Sequence, residues 1–482
     1  MDRRRFLELC GWGAAAMVVG RLRSAANEPP GRRNVIMILA DDMGWMDSSV
    51  YGSGYYESPN LQRLARRGML FTDAYAANPL CSPTRASIMT GKYPARLKIT
   101  TPAGHLPPQP DTPLLGKTAQ PWLKMVCPRS RRFLPLEERT LAEAFKEAGY
   151  ATGFIGKWHL GHEPWWPKKQ GFDVNIAGGH YPGPPSYFSP YRIKTLVDGP
   201  KGEYLTDRLT DEALKYIEDR RHGPLLLCLW HYAVHAPFQA KEKLVEDCRS
   251  RTDPRGKQGC AIMAAMLKSL DESVGRVLDR LDGLKIADET IIVFASDNGG
   301  NMYNVVEGRP PTNNHPLRNG KGSIYEGGTR TPCIVVWPGT VEPHSRCSEV
   351  ISSIDFFPTM LEMAGIQPRQ GLRFDGESIV PLLKGTGKLR REAVFCHFPH
   401  YIPATGNLPG TSVRQGDWKL IRLYGEGPGR SCAYELYNLK DDIGETINLA
   451  EKFPEKVKQL DGLISRHLEE TGALVPIPNP AY

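Results

Sequence analysis

Uninterrupted apolar runs of strand length recur along the chain. Asn34–Ala40 ends in Asp41-Asp42-Met43-Gly44, and the run from Ile291 to Ser296 ends in Asp297-Asn298-Gly299-Gly300. Leu225–Trp230 is a third run, leading into His231-Tyr232-Ala233-Val234-His235-Ala236-Pro237. Strands apolar at every position are buried on both faces, which predicts a sheet covered by helices. A shorter strand opens at Ala151 and runs into Gly156-Lys157-Trp158-His159-Leu160-Gly161. Helical spacing predicts helices from Ser58-Pro59 to near Gly68, over 140–146 (stopped by Gly149), over 206–219 and over 261–281. In the longest, Met266, Leu270, Val274, Val277 and Leu281 share one face, so its methionines belong to the core. Residues 100–135 are irregular and Pro-rich and predict a loop over the mouth of a site. From about Arg390 the character changes. Residues 413–423 and 433–439 read as two antiparallel strands, and 455–468 as a last helix.

A chain of 482 residues buries a large core, and 48 Gly with 41 Pro indicate many loops without disorder, because 40% of the chain is hydrophobic. The net charge of +8 is mild. It suits anionic substrates, and no basic run with interleaved aromatics points to nucleic acid.

The apolar strands deliver their polar residues at their carboxyl ends, where open α/β sheets place ligands. Asp41, Asp42, Asp297 and Asn298 offer three carboxylates and one amide. An all-oxygen set of this kind suits a hard cation, Ca²⁺ or Mg²⁺, and not zinc. Lys157 and His159 lie two apart, so an extended backbone would project them to one side. Cys81 opens the segment Cys81-Ser82-Pro83-Thr84-Arg85, followed by Ala86-Ser87-Ile88-Met89-Thr90-Gly91-Lys92-Tyr93-Pro94. A plain thiol there is a modest nucleophile until its proton is removed.

This C-x-P-x-R run and its flank resemble the signature of type I sulfatases. The blocks Gly156-Lys157-Trp158-His159-Leu160-Gly161, His235-Ala236-Pro237, Gly320-Lys321-Gly322 and Tyr325-Glu326-Gly327-Gly328 match that family in its order. The resemblance runs from Asn34 to about the last thirty residues. It implies an alkaline-phosphatase-like α/β domain with a mostly parallel mixed sheet (residues 27–389) and a small C-terminal antiparallel-sheet-and-helix subdomain (390–482). It implies that Cys81 is oxidised by a formylglycine-generating enzyme to formylglycine, whose hydrate attacks sulfur. Asp41, Asp42, residue 81, Asp297 and Asn298 then hold Ca²⁺, with Mg²⁺ as the alternative. Lys157, Lys321 and His235 stabilise the sulfate charge, and Arg85 holds the diol. Asp297 takes the attacking proton, His235 protonates the leaving alcohol, and His159 removes the proton that lets sulfate leave. Substrate contacts are expected from His180, in the stretch from Gly171 to Tyr191, and from His397 and His400 on a turn opening the C-terminal subdomain. The expected substrate is a sulfated glycan. A phosphonate or phosphate ester hydrolase of the same superfamily and a non-catalytic glycan-binding relative are the rival readings.

Arg3-Arg4-Arg5-Phe6-Leu7, the apolar stretch from Leu9 to Gly20 and Ser24-Ala25-Ala26 resemble a twin-arginine signal over residues 1–26. The stretch is too short to anchor in a membrane. The expectation is therefore export through the twin-arginine translocase to the periplasm or beyond. Of the ten cysteines, Cys248 and Cys260 flank a polar loop and are the favoured disulfide pair, whereas Cys228 belongs in a buried strand.

Overall fold

The computed structural model describes residues 32–482, so the leader expected over residues 1–26 lies outside them. Its frame is a nine-stranded sheet built from β1 (Asn34–Ala40), β2 (Met69–Tyr75), β4 (Ala151–Gly156), β5 (Val174–Ile176), β6 (Leu225–Trp230), β7 (Thr290–Ser296), β8 (Arg330–Val336), β9 (Ser345–Cys347) and β10 (Ile351–Ser352). The order is β10-β2-β8-β7-β1-β6-β4-β5, with β9 also on β2. β5, β4, β6, β1 and β7 run parallel, while β8 is antiparallel to both its neighbours. The three apolar runs are thus the three central strands, and alternate residues feed two cores. Ile36 and Ile38 face one side with Leu225 and Leu227, and Val35, Met37 and Leu39 face the other with Leu226 and Cys228. The Ala261–Gly283 helix covers the first side and contributes all five of its expected apolar positions to that core.

The other helices fall close to expectation: Pro59–Arg66, Leu141–Glu147, Leu205–Arg220 and Pro454–Glu470. Thr140 and Glu143 form a reciprocal capping box on the second of these. The 100–135 segment is irregular except for β3 (Met125–Val126), which pairs with β15 (Ile477–Pro478).

The C-terminal region departs from its expected strand count. Residues 413–423 are not one strand but a hairpin, β12 (Gly410–Gln415) and β13 (Trp418–Leu423), folded at Gly416-Asp417. With β11 (Val394–Phe398) and β14 (Ala433–Asn438) they make a four-stranded antiparallel sheet. The favoured disulfide also fails: Cys248 and Cys260 are free, buried thiols. Cys228 is a buried thiol in β6, as expected. Among the described residues no helix is long and apolar enough to cross a membrane.

Candidate active site

The site lies where the parallel strands end. Asp41 and Asp42 follow β1, Lys157 and His159 follow β4, His235 lies five residues beyond β6, and Asp297 with Asn298 follow β7. Backbone bonds lace these ends together. Asp297 N–H donates to the Ala40 carbonyl (3.2 Å), Asp41 N–H to Ala233 (2.9 Å), and Val234 N–H back to Asp41 (2.7 Å). The last two bonds hold the His235 loop against β1.

Cys81 and Arg85 sit on the buried Cys81–Thr90 helix, with Cys81 in its first turn. No face of this helix meets water, which is why its apolar pattern shows no amphipathic stripe. Arg85 donates through Nε to Asp297 Oδ2 (2.8 Å) and through Nη1 to the Lys157 carbonyl, and its Nη2 lies 3.7 Å from Asp41 Oδ1. A guanidinium fully removed from water is thereby matched against two carboxylates. Lys157 Nζ reaches Asp41 Oδ2 at 2.5 Å, and Lys321 Nζ reaches Asp42 Oδ2 at 2.7 Å. Lys321 is carried there by its N–H on the Gly300 carbonyl (3.0 Å) and by Gly322 N–H on Pro79 (2.9 Å).

Burial and charge pull the titrations apart. Burial pushes Asp41 well above the carboxylate range. For Asp42 burial works the same way, but Lys321, His235 and Lys157 outweigh it and hold the group well below that range. Burial opposes the Lys321 charge, yet Asp42 keeps that ammonium firmly protonated. Burial also raises the Cys81 thiol against the pull of Lys157 and Lys321. It depresses His235 and His159, which are lowered further by Lys321 and Lys157 respectively.

His235 Nδ1 meets the Ala236 carbonyl at 2.7 Å, so Nδ1 carries a proton and Nε2, 3.8 Å from Asp42 Oδ2, is the nitrogen free to titrate. His159 reaches the site differently from the sequence expectation. Its φ is +58°, so Lys157 and His159 are not successive same-side positions of an extended strand. The turn aims Lys157 at Asp41 and brings His159 Nδ1 to 3.6 Å from Cys81 Sγ. His159 is fixed there by its N–H on the Gly179 carbonyl (2.9 Å) and by Ser82 Oγ donating to its own carbonyl (2.7 Å).

The donor set fits a hard cation. Ligand atoms of Asp41, Cys81 and Asp297 lie within 4.8 Å of one another, as do those of Asp41, Asp42 and His235. Asp41 Oδ1 and Asn298 Oδ1 are buried oxygens with no hydrogen-bond donor, and such oxygens are costly unless something positive meets them.

His180 stacks on His162 (4.1 Å between ring centres) and on Tyr181 (4.5 Å), with Trp166 alongside, and its Nδ1 is buried without a partner. The shared turn expected for His397 and His400 is corrected. His397 lies within β11, paired with β12, and both its ring nitrogens are used, on Thr411 Oγ1 (2.7 Å) and the Leu474 carbonyl (3.1 Å). None is left for a sugar. His400 follows the strand, buried, with Nε2 on Thr100 Oγ1 at 2.8 Å. The sequence offered no signal for His105, which lies in the irregular 100–135 segment outside every motif, yet its Nδ1 is 3.1 Å from His159 Nε2.

Fixed cations, buried carboxylates and imidazoles converging at the carboxyl edge of an alkaline-phosphatase-like sheet define a hydrolase of anionic esters. The chain belongs to the sulfatase family: the Sulfatase family model matches residues 33–366, and the model for the N-sulphoglucosamine sulphohydrolase C-terminal region matches 319–472. It is 34% identical over 395 residues to the N-acetylgalactosamine-6-sulfatase of Homo sapiens, spanning 77% of this chain and 69% of that protein. It is 32% identical to a sulfatase of Formosa agariphila over 500 residues, spanning 89% and 86%. The crystal structure of Ps i-CgsB in complex with k-i-k-neocarrahexaose superposes with a TM-score of 0.73 at 26% identity, covering 90% of this chain and 92% of that one. The protein is a sulfuric ester hydrolase.

Proposed function

We propose that this sulfatase removes sulfate from a sulfated glycan and works through a formylglycine made from Cys81. The observation that carries this reading is the surroundings of Cys81. Its Sγ lies among the Asp41 and Asp297 oxygens and 3.6 Å from His159 Nδ1, in the first turn of a wholly buried helix. A hydrated formylglycine supplies one hydroxyl to attack sulfur and a second whose ionisation expels sulfate. A Ca²⁺ or Mg²⁺ held by Asp41, Asp42, residue 81, Asp297 and Asn298 would add positive charge against the sulfate oxygens.

The chain's own residues supply the rest. Lys157 and Lys321 present point charges to a tetrahedral anion inside a buried pocket, where such charges stabilise most. Arg85 neutralises Asp41 and Asp297 and fixes the helix that carries residue 81. Asp297 accepts the first proton from the nucleophile. His235 gives a proton from Nε2 to the departing alcohol oxygen, and an arriving sulfate anion favours its charged form. His159 accepts the last proton at Nδ1.

The names of the human relative and of the neocarrahexaose complex support an oligosaccharide substrate. His180, with its open Nδ1 and stacked neighbours, is the sugar contact in this reading. His400 acts from behind, by holding Thr100 at the root of the 100–135 loop. The catalytic unit spans residues 27–389 and the accessory unit 390–482. Export over the twin-arginine route to the periplasm or the exterior, after oxidation by a formylglycine-generating enzyme, completes the proposal.

Peptide mass spectrometry around Cys81 in protein from its native host tests it, together with assay of Cys81→Ala on an aryl sulfate. The expected result is loss of sulfur with gain of an aldehyde, and an inactive, folded variant. An unmodified thiol in fully active enzyme sinks the formylglycine. Faster cleavage of a phosphonate ester than of a sulfate ester would sink the substrate class.

A further inference from the structure

His159 has a partner on each ring nitrogen. Nδ1 faces Cys81 Sγ, and Nε2 faces His105 Nδ1 at 3.1 Å, with the two ring centres 5.4 Å apart. The segment bearing His105 is shaped to residue 159. Gly104 packs so closely on the His159 carbonyl that a Cβ at position 104 would lie 2.2 Å from that oxygen. On the other flank, His162 Nε2 holds the His105 carbonyl at 2.9 Å. Backbone and side chain of residues 104–105 are therefore both fitted to His159.

A neutral imidazole has one N–H and one bare nitrogen. A hydrogen bond between the two rings at 3.1 Å needs an N–H on one and a bare nitrogen on the other. One proton bridges them, and its owner decides which nitrogen of His159 faces position 81 bare. For His159 to act as a base at Nδ1, its own ring proton must lie on Nε2, and His105 Nδ1 is the acceptor that this N–H meets.

We propose that His105 is a positioning residue that accepts the Nε2–H of His159 and so presents His159 Nδ1, unprotonated, to residue 81. This rests on the reading of His159 as the base that frees sulfate, and adds the group that makes Nδ1 its basic nitrogen. Without His105 the ring is free to place its proton on either nitrogen, and part of the population faces residue 81 with an N–H that cannot accept.

Outer partners of a working histidine are typically worth roughly 10–100-fold. His105→Ala should therefore lower kcat by about that factor, with KM for an aryl sulfate unchanged. His105→Asn, whose Oδ1 can stand in for Nδ1 as acceptor, should restore most of the loss. In a double-mutant cycle the effect of His105→Ala should vanish in a His159→Ala background. The tautomer is read without turnover by nitrogen-15 NMR of the full-length histidine-labelled protein with Cys81 unmodified. His159 Nδ1 should show a bare-nitrogen shift, moving toward the protonated value in His105→Ala. A protonated Nδ1 in the parent protein, or losses that simply add in the cycle, overturns the proposal. If His159→Ala leaves kcat intact, the assignment of His159 as base fails, while the NMR result still decides the tautomer.

Discussion

Each charged side chain in the pocket is assigned by its partner. His235 illustrates this: the Ala236 carbonyl fixes the proton on Nδ1 and leaves Nε2 as the exchanging nitrogen. If Nε2 protonates the departing oxygen, the cost of losing it depends on the leaving group. A sugar alkoxide needs a proton, whereas 4-nitrophenolate departs without one. His235→Ala should lower kcat/KM on a sulfated sugar by about 10²–10⁴-fold and on 4-nitrophenyl sulfate by far less. Equal losses on both would make His235 a charge stabiliser and not an acid. At this scale the sequence was most legible where chemistry is written in contiguous motifs. Asp41, Asp42, Cys81, Arg85, Lys157, His159, His235, Lys321, Asp297 and Asn298 all converge on one pocket. His105 was illegible because nothing local marks it; its meaning comes only from a loop folding back onto residue 159. His397 was misread because a histidine before Phe398-Pro399 suggests a turn, while pairing with Thr411 places it in a strand.

Elements set the precision of these positions, and Gly156 at the end of β4 is the tightest example. It pairs with Trp230 of β6, has φ +116°, and a Cβ there would lie 1.9 Å from the Trp230 carbonyl. The next residue, Lys157, donates its N–H to that same carbonyl at 2.7 Å. An alanine would meet both a forbidden backbone conformation and a backbone clash, at a cost of roughly 2–4 kcal/mol. Gly156→Ala should lower the urea midpoint and, by moving Lys157 and His159, lower kcat as well. Retention of both values would show that the strand end tolerates movement. The central strands were readable because a strand buried on both faces has an unbroken apolar sequence. The small sheet was less so. Its polar positions Arg414, Lys419 and Arg422 lie on strands, so polarity does not mark the turn, and Gly416 alone (φ +56°) gives the reversal away.

At the scale of the whole molecule two of those polar strand residues, Lys419 and Arg414, join the small sheet to the large one. Lys419 on β13 pairs with Glu326 Oε1 (2.9 Å) and Glu445 Oε1 (2.8 Å), Arg330 Nε holds Glu326 Oε2 (2.8 Å), and Arg414 on β12 pairs with Asp73 on β2 (2.8 Å). Glu445 Oε2 also accepts the Glu326 N–H at 2.7 Å. No sequence pattern announces this junction, because its partners lie up to some hundreds of residues apart and each alone reads as a solvated charge. Two buried carboxylates share one ammonium, and they cannot both ionise cheaply. Burial lifts Glu445 from 4.5 to about 7, with Lys419 opposing and Glu326 adding to the rise. Glu326, held by Lys419, Arg330 and Arg414 against its own burial, stays ionised. In the unfolded chain Glu445 gives up its proton near its ordinary value, but in the folded protein it keeps it until about 7. Its contribution to stability is therefore complete below 4.5 and lost as the pH rises through 7. At about 1.4 kcal/mol per pH unit, the upper bound is about 3 kcal/mol across that window. Glu445→Gln, which is neutral at every pH and keeps an oxygen for the Glu326 N–H, should flatten this part of the pH dependence. Lys419→Met should do the opposite, leaving Glu326 and Glu445 without their shared cation and destabilising by roughly 3–5 kcal/mol, with Glu445→Gln recovering part of that loss in the double variant. Urea denaturation of the three variants at pH 5 and pH 8 checks this. If the parent and Glu445→Gln lose the same stability between those pH values, Glu445 does not hold its proton and the junction is a fully ionised network.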